Sequence, residues 1–391
     1  MKPSARIAAA ITILDQILAG QPAEQALTHW ARKNRYAGSS DRAAVRDHVF
    51  DALRRMRSYA AAGGAETGRG IMLGSVRQSG ADPATVFTGD RHAPDCLTPL
   101  EAAYTPDALT ESQALDVPDW LEMPLRDSLG DAFVPTMRIL QERAPVHLRV
   151  NVAKSTRAAA QAILANDDIE TTPVALAETA LQVVKNSRRV AASRAYQEGV
   201  VELQDAASQA VMLALAPLPA GTRILDFCAG GGGKSLALAA LSPEAHITAH
   251  DASVRRMADL PQRAKRAGAR VNTATDPHLL QAASFDLVLC DVPCSGSGSW
   301  RRNPAGKWTL SPEKLADLQL LQSQILTTAS GYVAPHGRLA YVTCSLLQSE
   351  NEAQIDRFRE QSPGWQLIKD KRYLPTEGGD GFYVAELTRE G

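Results

Sequence analysis

The sequence predicts an α/β chain whose C-terminal part, residues 201–391, folds into a doubly wound, mostly parallel sheet of seven strands. Three observations predict it. From Arg223 onward short apolar runs alternate with helical patterns, the signature of a sheet covered by crossover helices. Seven such runs follow one another: Arg223–Phe227, Ala245–Asp251, Arg270–Asp276, Phe285–Val292, Gly337–Cys344, Trp365–Lys369 and Phe382–Leu387. A glycine-rich turn joins the first run to a helix, where open sheets of this kind carry their ligands.

At 391 residues the chain exceeds one average domain, and three further segments precede the sheet. Residues 1–60 read as a small helical domain, with Ile7, Ile11, Leu14 and Leu18 on one face and Val45, Val49, Leu53 and Met56 on another. Residues 61–115 are rich in glycine, proline and alanine without clear period and read as a connector or weakly ordered helices. Residues 116–200 read as a small helical plus α+β domain. Its helical pattern spans Trp120 to Glu142, strands are expected at 146–151, 169–172 and 180–184, and a helix at 156–164.

Composition bounds the function classes. Hydrophobic residues at 45% and charged residues at 22% indicate a globular chain with a sizeable core. No apolar run approaches a membrane span and the start lacks a signal-peptide core, so a cytoplasmic protein with no membrane partner is expected. Five cysteines without Cys-x-x-Cys spacing argue against a zinc site, and no metal is expected. A net charge of -1 leaves any polyanion site to a local patch. Residues 1–60, with ten Lys or Arg against five Asp or Glu, supply a candidate that is equally compatible with a solvated helical face.

The turn Asp226-Phe227-Cys228-Ala229-Gly230-Gly231-Gly232-Gly233-Lys234 would let a nucleotide-type ligand approach backbone amides. It resembles the end of a phosphate-binding loop, but that pattern requires glycine five residues before Gly233, where this chain has Cys228. Asp251, closing the second strand, is placed to hold ribose hydroxyls of an adenosine ligand or to cap the next helix. Asp276, closing the third, carries the same two readings.

Two strands deliver a thiol to the same edge. The fourth breaks at Asp291-Val292-Pro293-Cys294, and the fifth ends Val342-Thr343-Cys344. If the strands are neighbours, Cys294 and Cys344 meet there, whereas Cys290, inside an apolar run, reads as an inert core thiol. A thiolate at a ligand site serves covalent catalysis, and the residues alone do not say which of the two attacks. Asp291 is the nearest proton carrier, and it would have to hold or share a proton to donate one.

The segments DFCAGGGGK, DVPCSGSG followed by RRNPAGKW, and YVTCSLLQSENE resemble the RsmB/Sun (Fmu) family of RNA cytosine-5 methyltransferases. VHLRVN, GVVELQDAASQ and RYLPTEGGDGFYVAEL extend the resemblance from about Asp116 to the C-terminus. It implies a Rossmann-like methyltransferase domain using S-adenosylmethionine (SAM), preceded by an RRM-like α+β unit. It implies Cys344 as nucleophile at carbon 6 of cytosine, which makes carbon 5 able to attack the SAM methyl, and Cys294 as assistant in product release. Cys228, Ala229, Gly230, Gly231, Gly232, Gly233, Lys234, Asp251, Asp276 and Asp291 fall at SAM-contacting positions. Asp291 also faces the base, and Lys234 also reaches the active site. The family more often has Ala-Pro-Gly-Gly-Lys where this chain has Gly230-Gly231-Gly232-Gly233-Lys234; losing the proline loosens the turn and adds a donor.

Asp41-Arg42-Ala43-Ala44-Val45-Arg46 and Leu53-Arg54-Arg55 resemble a NusB-like helical RNA-binding domain, here short. Arg301, Arg302 and Lys307, interleaved with Trp300 and Trp308 just after Pro-Cys, form a candidate RNA-binding loop; Trp308 reads equally well as core. The expected partner is RNA, ribosomal first and transfer RNA second, met by a monomer; the alternative to an enzyme is a SAM- and RNA-binding ribosome assembly factor without turnover.

Overall fold

The computed structural model describes residues 1–276 and 280–389, which fall into two compact units. One contains residues 1–143 together with 300–309, and the other contains 144–299 and 310–391. Among the described residues no helix is long and apolar enough to cross a membrane.

The first unit is helical. Helices α1 (Pro3–Leu18), α2 (Ala23–Lys33) and α3 (Ser39–Arg54) bury Ile7, Ile13 and Leu14, Leu27 and Trp30, and Val45, Val49 and Leu53 in one core. Leu18, at the end of the predicted stripe, is exposed instead. The boundary expected at residue 60 and the connector expected after it are not what the structure shows. Helix α4 (Met56–Gly63) runs across residue 60, and α5 (Gly68–Gln78) adds Ile71, Met72, Leu73 and Val76 to the same core. A Cβ on Gly63 would lie 1.7 Å from the Gly70 carbonyl oxygen, and one on Gly74 1.8 Å from that of Tyr59. The glycines that read as loop punctuation bring two helix backbones into contact. Helices Asp119–Leu129 and Phe133–Leu140 follow where the sequence expects them and pack within this unit.

The second unit opens with a small antiparallel sheet of β1 (Val146–Val150), β2 (Glu170–Pro173), β3 (Ala180–Lys185) and β4 (Val201–Leu203), in the order β2-β3-β1-β4. Helix Arg157–Asn166 packs Ala160 and Leu164 against Leu148, Val150 and Leu181. Strand β4 is only three residues long and gave no periodic signal.

The main sheet contains β5 (Arg223–Asp226), β6 (His246–His250), β7 (Val271–Ala274), β8 (Phe285–Asp291), β9 (Val333–Thr343), β10 (Trp365–Tyr373) and β11 (Phe382–Arg389). Their order is β10-β11-β9-β8-β5-β6-β7, with β11 antiparallel to both neighbours and the other pairs parallel. Both faces are covered, so the strands alternate between two apolar layers. Ile224, Leu287, Leu289, Ala340 and Val342 pack with helix Ala206–Leu215, while Leu225, Val288, Cys290, Leu339 and Tyr341 pack with Leu326 and Phe358. The chain winds from β5 outward to β6 and β7, then crosses back to place β8 on the other side of β5. Ligand sites form at such a reversal, beyond the carboxyl ends of the strands, here Asp226 and Asp291.

Candidate active site

Beyond β5 the chain turns through Phe227–Gly232 and enters helix Gly233–Leu241. Phe227 N donates to Leu289 O of β8 at 2.8 Å and Ala229 N to His250 O of β6 at 2.8 Å, so the turn is pinned to both flanking strands. Gly232 has φ +76°, and a Cβ there would stand 2.2 Å from Leu260 Cδ1; backbone angle and space both demand glycine. Arg149 of β1, buried and brought down to about 10 by that burial, donates to Gly233 O at 2.8 Å. The sequence reading missed this support, because an arginine inside a strand pattern does not announce its target.

Three carboxylates surround the turn. Asp226 is fully buried, accepts from Ser235 Oγ at 2.6 Å, and keeps Oδ1 without a hydrogen-bond partner; burial pushes it up to about 7. Asp251, just past β6, accepts from Gly230 N and Ser253 N, each at 2.9 Å, and from Arg256 Nη1 at 3.1 Å. It thus organises the turn and caps the following residues at once. Asp291 completes the set. Cys228 lies in the field of all three, and burial with these charges raises its thiol well above the usual range. Asp276 is exposed beyond β7, and residues 277–279, on which its capping reading depends, lie outside the described residues.

Lys234, on the first turn of the helix, donates to Asp291 Oδ2 at 2.5 Å and stands 5.3 Å from the Phe382 ring centroid. Burial works against its ammonium, but the charge and hydrogen bond of Asp291 more than offset this, and Lys234 is held above its ordinary value.

The two predicted thiols meet. Cys294 Sγ lies 3.4 Å from Cys344 Sγ, and both side chains are half-buried. The hydrogen bond from Cys294, assisted by Lys234, holds Cys344 below the usual thiol value against desolvation and Asp291. Cys294 is pushed well above it by the same hydrogen bond and by desolvation. Cys290 is fully buried among Leu225, Val288 and Tyr341, as an inert core thiol should be.

The turns carrying the thiols are knit together by Glu350, fully buried, and Gln322. Ser295 N donates to Glu350 Oε1 at 2.8 Å, Ser345 Oγ to Oε2 at 2.5 Å, and Gln322 Nε2 reaches both Glu350 Oε1 and Pro293 O at 2.9 Å. Gly298 N closes the second link, donating to Cys344 O at 2.9 Å. Glu350 was overlooked because Glu350-Asn351-Glu352 reads as the solvated start of a helix.

The candidate RNA-binding loop needs correction. Residues 300–309 belong to the helical unit, and Arg301 and Lys307 are both 4% exposed. Arg54 Nε donates to Arg301 O at 2.8 Å, Trp308 Nε1 to Leu53 O at 2.6 Å, and Lys307 Nζ to Arg54 O at 3.4 Å. The segment satisfies the last carbonyls of α3, which any helix end must offer to a donor. Burial brings Lys307 down to about 8. Only Arg302 of the three keeps an exposed side chain.

The chain is similar to several known proteins. A family model described as 16S rRNA methyltransferase RsmB/F matches residues 212–388, and an RsmF/B-like ferredoxin-like domain model matches residues 117–190. Ribosomal RNA small subunit methyltransferase B of Vibrio cholerae is 35% identical over 285 residues, covering 70% of this chain and 65% of that protein. Its Escherichia coli counterpart (strain 536) is 32% identical over 301 residues, covering 73% and 70%. The aligned part is thus about two thirds of each relative's own length. The crystal structure of PH0851 superposes with a TM-score of 0.77 at 24% identity, covering 100% of this chain and 99% of that one. A methyltransferase homolog from Pyrococcus horikoshii gives 0.62 at 21%, covering 72% and 100%.

Proposed function

Since the chain belongs to the RsmB/F methyltransferase family, we propose that it transfers a methyl group from SAM to carbon 5 of a cytosine in RNA, through an adduct with Cys344. The observation that carries this reading is the pair of thiols 3.4 Å apart beside the Lys234–Asp291 ion pair.

Carbon 5 of cytosine is a poor nucleophile until a sulfur bonds to carbon 6. Cys344, held below the usual thiol value, makes that bond, and charge develops on the pyrimidine ring. The Lys234–Asp291 pair lies alongside, with a shared proton to offer the ring nitrogen. Asp291 therefore need not be the lone acid, because the ammonium of Lys234 supplies the proton through it. Release requires loss of the carbon 5 proton and of the carbon–sulfur bond, and Cys294 stands beside that bond to assist.

The residues present fit SAM. Its sulfonium supplies the methyl group as an electrophile. The ligand is cationic at sulfur and nitrogen, and the turn offers Asp226, Asp251 and Asp291, a set that would repel a triphosphate. A Cβ on Gly233 would meet nothing nearer than Gln204 Nε2 at 3.8 Å, which leaves the start of the helix open to close approach, and Asp251, which here meets Arg256, would hold the ribose hydroxyls. Asp276 is assigned to the same ligand on resemblance alone.

The relatives' names support small-subunit ribosomal RNA as substrate. The test is to incubate the protein with methyl-labelled SAM and small-subunit rRNA and to map the product by bisulfite sequencing. Label in 5-methylcytosine at a defined rRNA site is expected. Label on another base atom, on tRNA alone, or on no RNA overturns the reading.

A further inference from the structure

We propose that Glu350 is the positioning residue of the two-thiol site: its carboxylate ties the turn after Cys294 to the turn after Cys344 and keeps the shared proton on Cys294, leaving Cys344 as the thiolate. The proposal rests on the reading above for its catalytic meaning, but its geometry stands without it.

Ser295 follows Cys294 and Ser345 follows Cys344, and Glu350 binds both. Oε1 accepts from Ser295 N at 2.8 Å and from Gln322 Nε2 at 2.9 Å; Oε2 accepts from Ser345 Oγ at 2.5 Å and from Ser295 Oγ. Four donors occupy the four lone-pair directions of one carboxylate, which accounts for a charge that is fully buried. A glutamine has the same shape but only two of those acceptor directions, and its amide would face donors.

The charge has a second effect. Facing the thiols are Glu350 and Tyr341 on the Cys294 side, and Lys234 and Asp291 on the Cys344 side. Tyr341 donates its hydroxyl to Glu350 O at 2.6 Å. The buried negative charge of Glu350 next to Cys294 disfavours a thiolate there, while at Cys344 the ammonium of Lys234 favours one against the opposing charge of Asp291. The two charges polarise the S–H···S bond in one direction, and removing either flattens that preference.

The test uses the full-length chain carrying Glu350→Gln or Glu350→Asp. Iodoacetamide labelling of Cys344 and Cys294 is followed separately by peptide mass spectrometry from about pH 6 to about pH 10, alongside thermal melting. Wild type should label Cys344 at least about tenfold faster than Cys294 near neutral pH. Glu350→Gln should shrink that preference several-fold and move Cys294 labelling to lower pH, and Glu350→Asp, which keeps the charge, should restore part of it. A folded Glu350→Gln with an unchanged labelling ratio overturns the proposal. If Glu350→Gln does not fold, Ser345→Ala removes one of the four bonds, and an unchanged ratio there overturns it equally. Labelling needs neither RNA nor SAM, so a wild-type protein that transfers no methyl group sinks the functional reading while the ratio still decides this one.

Discussion

Cys294 Sγ and Cys344 Sγ lie 3.4 Å apart, although 50 residues and a crossover helix separate them in the chain. Register explains the meeting. β8 and β9 are parallel neighbours with Asp291 opposite Val342, so each strand reaches its cysteine within three residues of the same level. Two sulfurs at hydrogen-bond distance cannot play the same part, and the donor and acceptor should fail differently when removed.

Cys344→Ala is expected to abolish both methyl transfer and the covalent protein–RNA complex, with a single-turnover rate lower by roughly 10³-fold or more. Cys294→Ala should form the adduct and fail to release it, giving a protein–RNA band that survives denaturing electrophoresis. The opposite assignment of the two phenotypes would make Cys294 the nucleophile.

The same bond predicts a pH dependence. Its donor holds Cys344 below the ordinary thiol value, so the Cys344 thiolate is populated at lower pH than in a free cysteine. In Cys294→Ala that stabilisation of the anion is gone, and the labelling profile of Cys344 should move to higher pH. A profile that stays in place would show that Lys234 and Ser299 set it without Cys294.

Asp226 predicts a pH dependence of stability. Its ordinary value is 3.8, and burial raises it to about 7 in the folded chain. Between these two values the folded state binds the proton and the unfolded state does not, so a rise in pH across that window favours unfolding. Asp226→Asn has no proton to lose. Its melting temperature should pull ahead of wild type as pH rises from about 4 to about 7, and the gap should level off above. A gap that is constant with pH would place the proton elsewhere.

Gly74→Ala tests the helical unit. In an open helix alanine gains about 1 kcal/mol over glycine. Here the added Cβ meets the Tyr59 carbonyl at 1.8 Å, so the sign should reverse, with a loss of about 2 kcal/mol or more in urea unfolding followed by circular dichroism. A neutral result would mean that α4 and α5 separate readily.

The central strands of the main sheet were legible because a buried parallel strand writes its own pattern, and Leu287, Val288 and Leu289 serve two apolar layers in turn. The thiol pair was legible because each cysteine ends such a strand. Glu350 was not, since burial of an acid depends on four donors from three separate segments that no local pattern links. The glycines of α4 and α5 misled for the opposite reason, a residue type that breaks helices in isolation being what lets these two touch. Arg301 and Lys307 misled because a cation next to tryptophan is the same text whether it meets a phosphate or, as here, the end of α3.

Strand β11 lies between β9 and β10, and Gly381 N donates to Gly298 O in the Cys294 loop at 2.9 Å. While the chain is being synthesised, the strand that ends in Cys344 therefore waits with one bare hydrogen-bonding edge until residues 382–389 have emerged from the ribosome. A nascent chain stalled before Phe382 would present an adhesive edge in place of a reactive site.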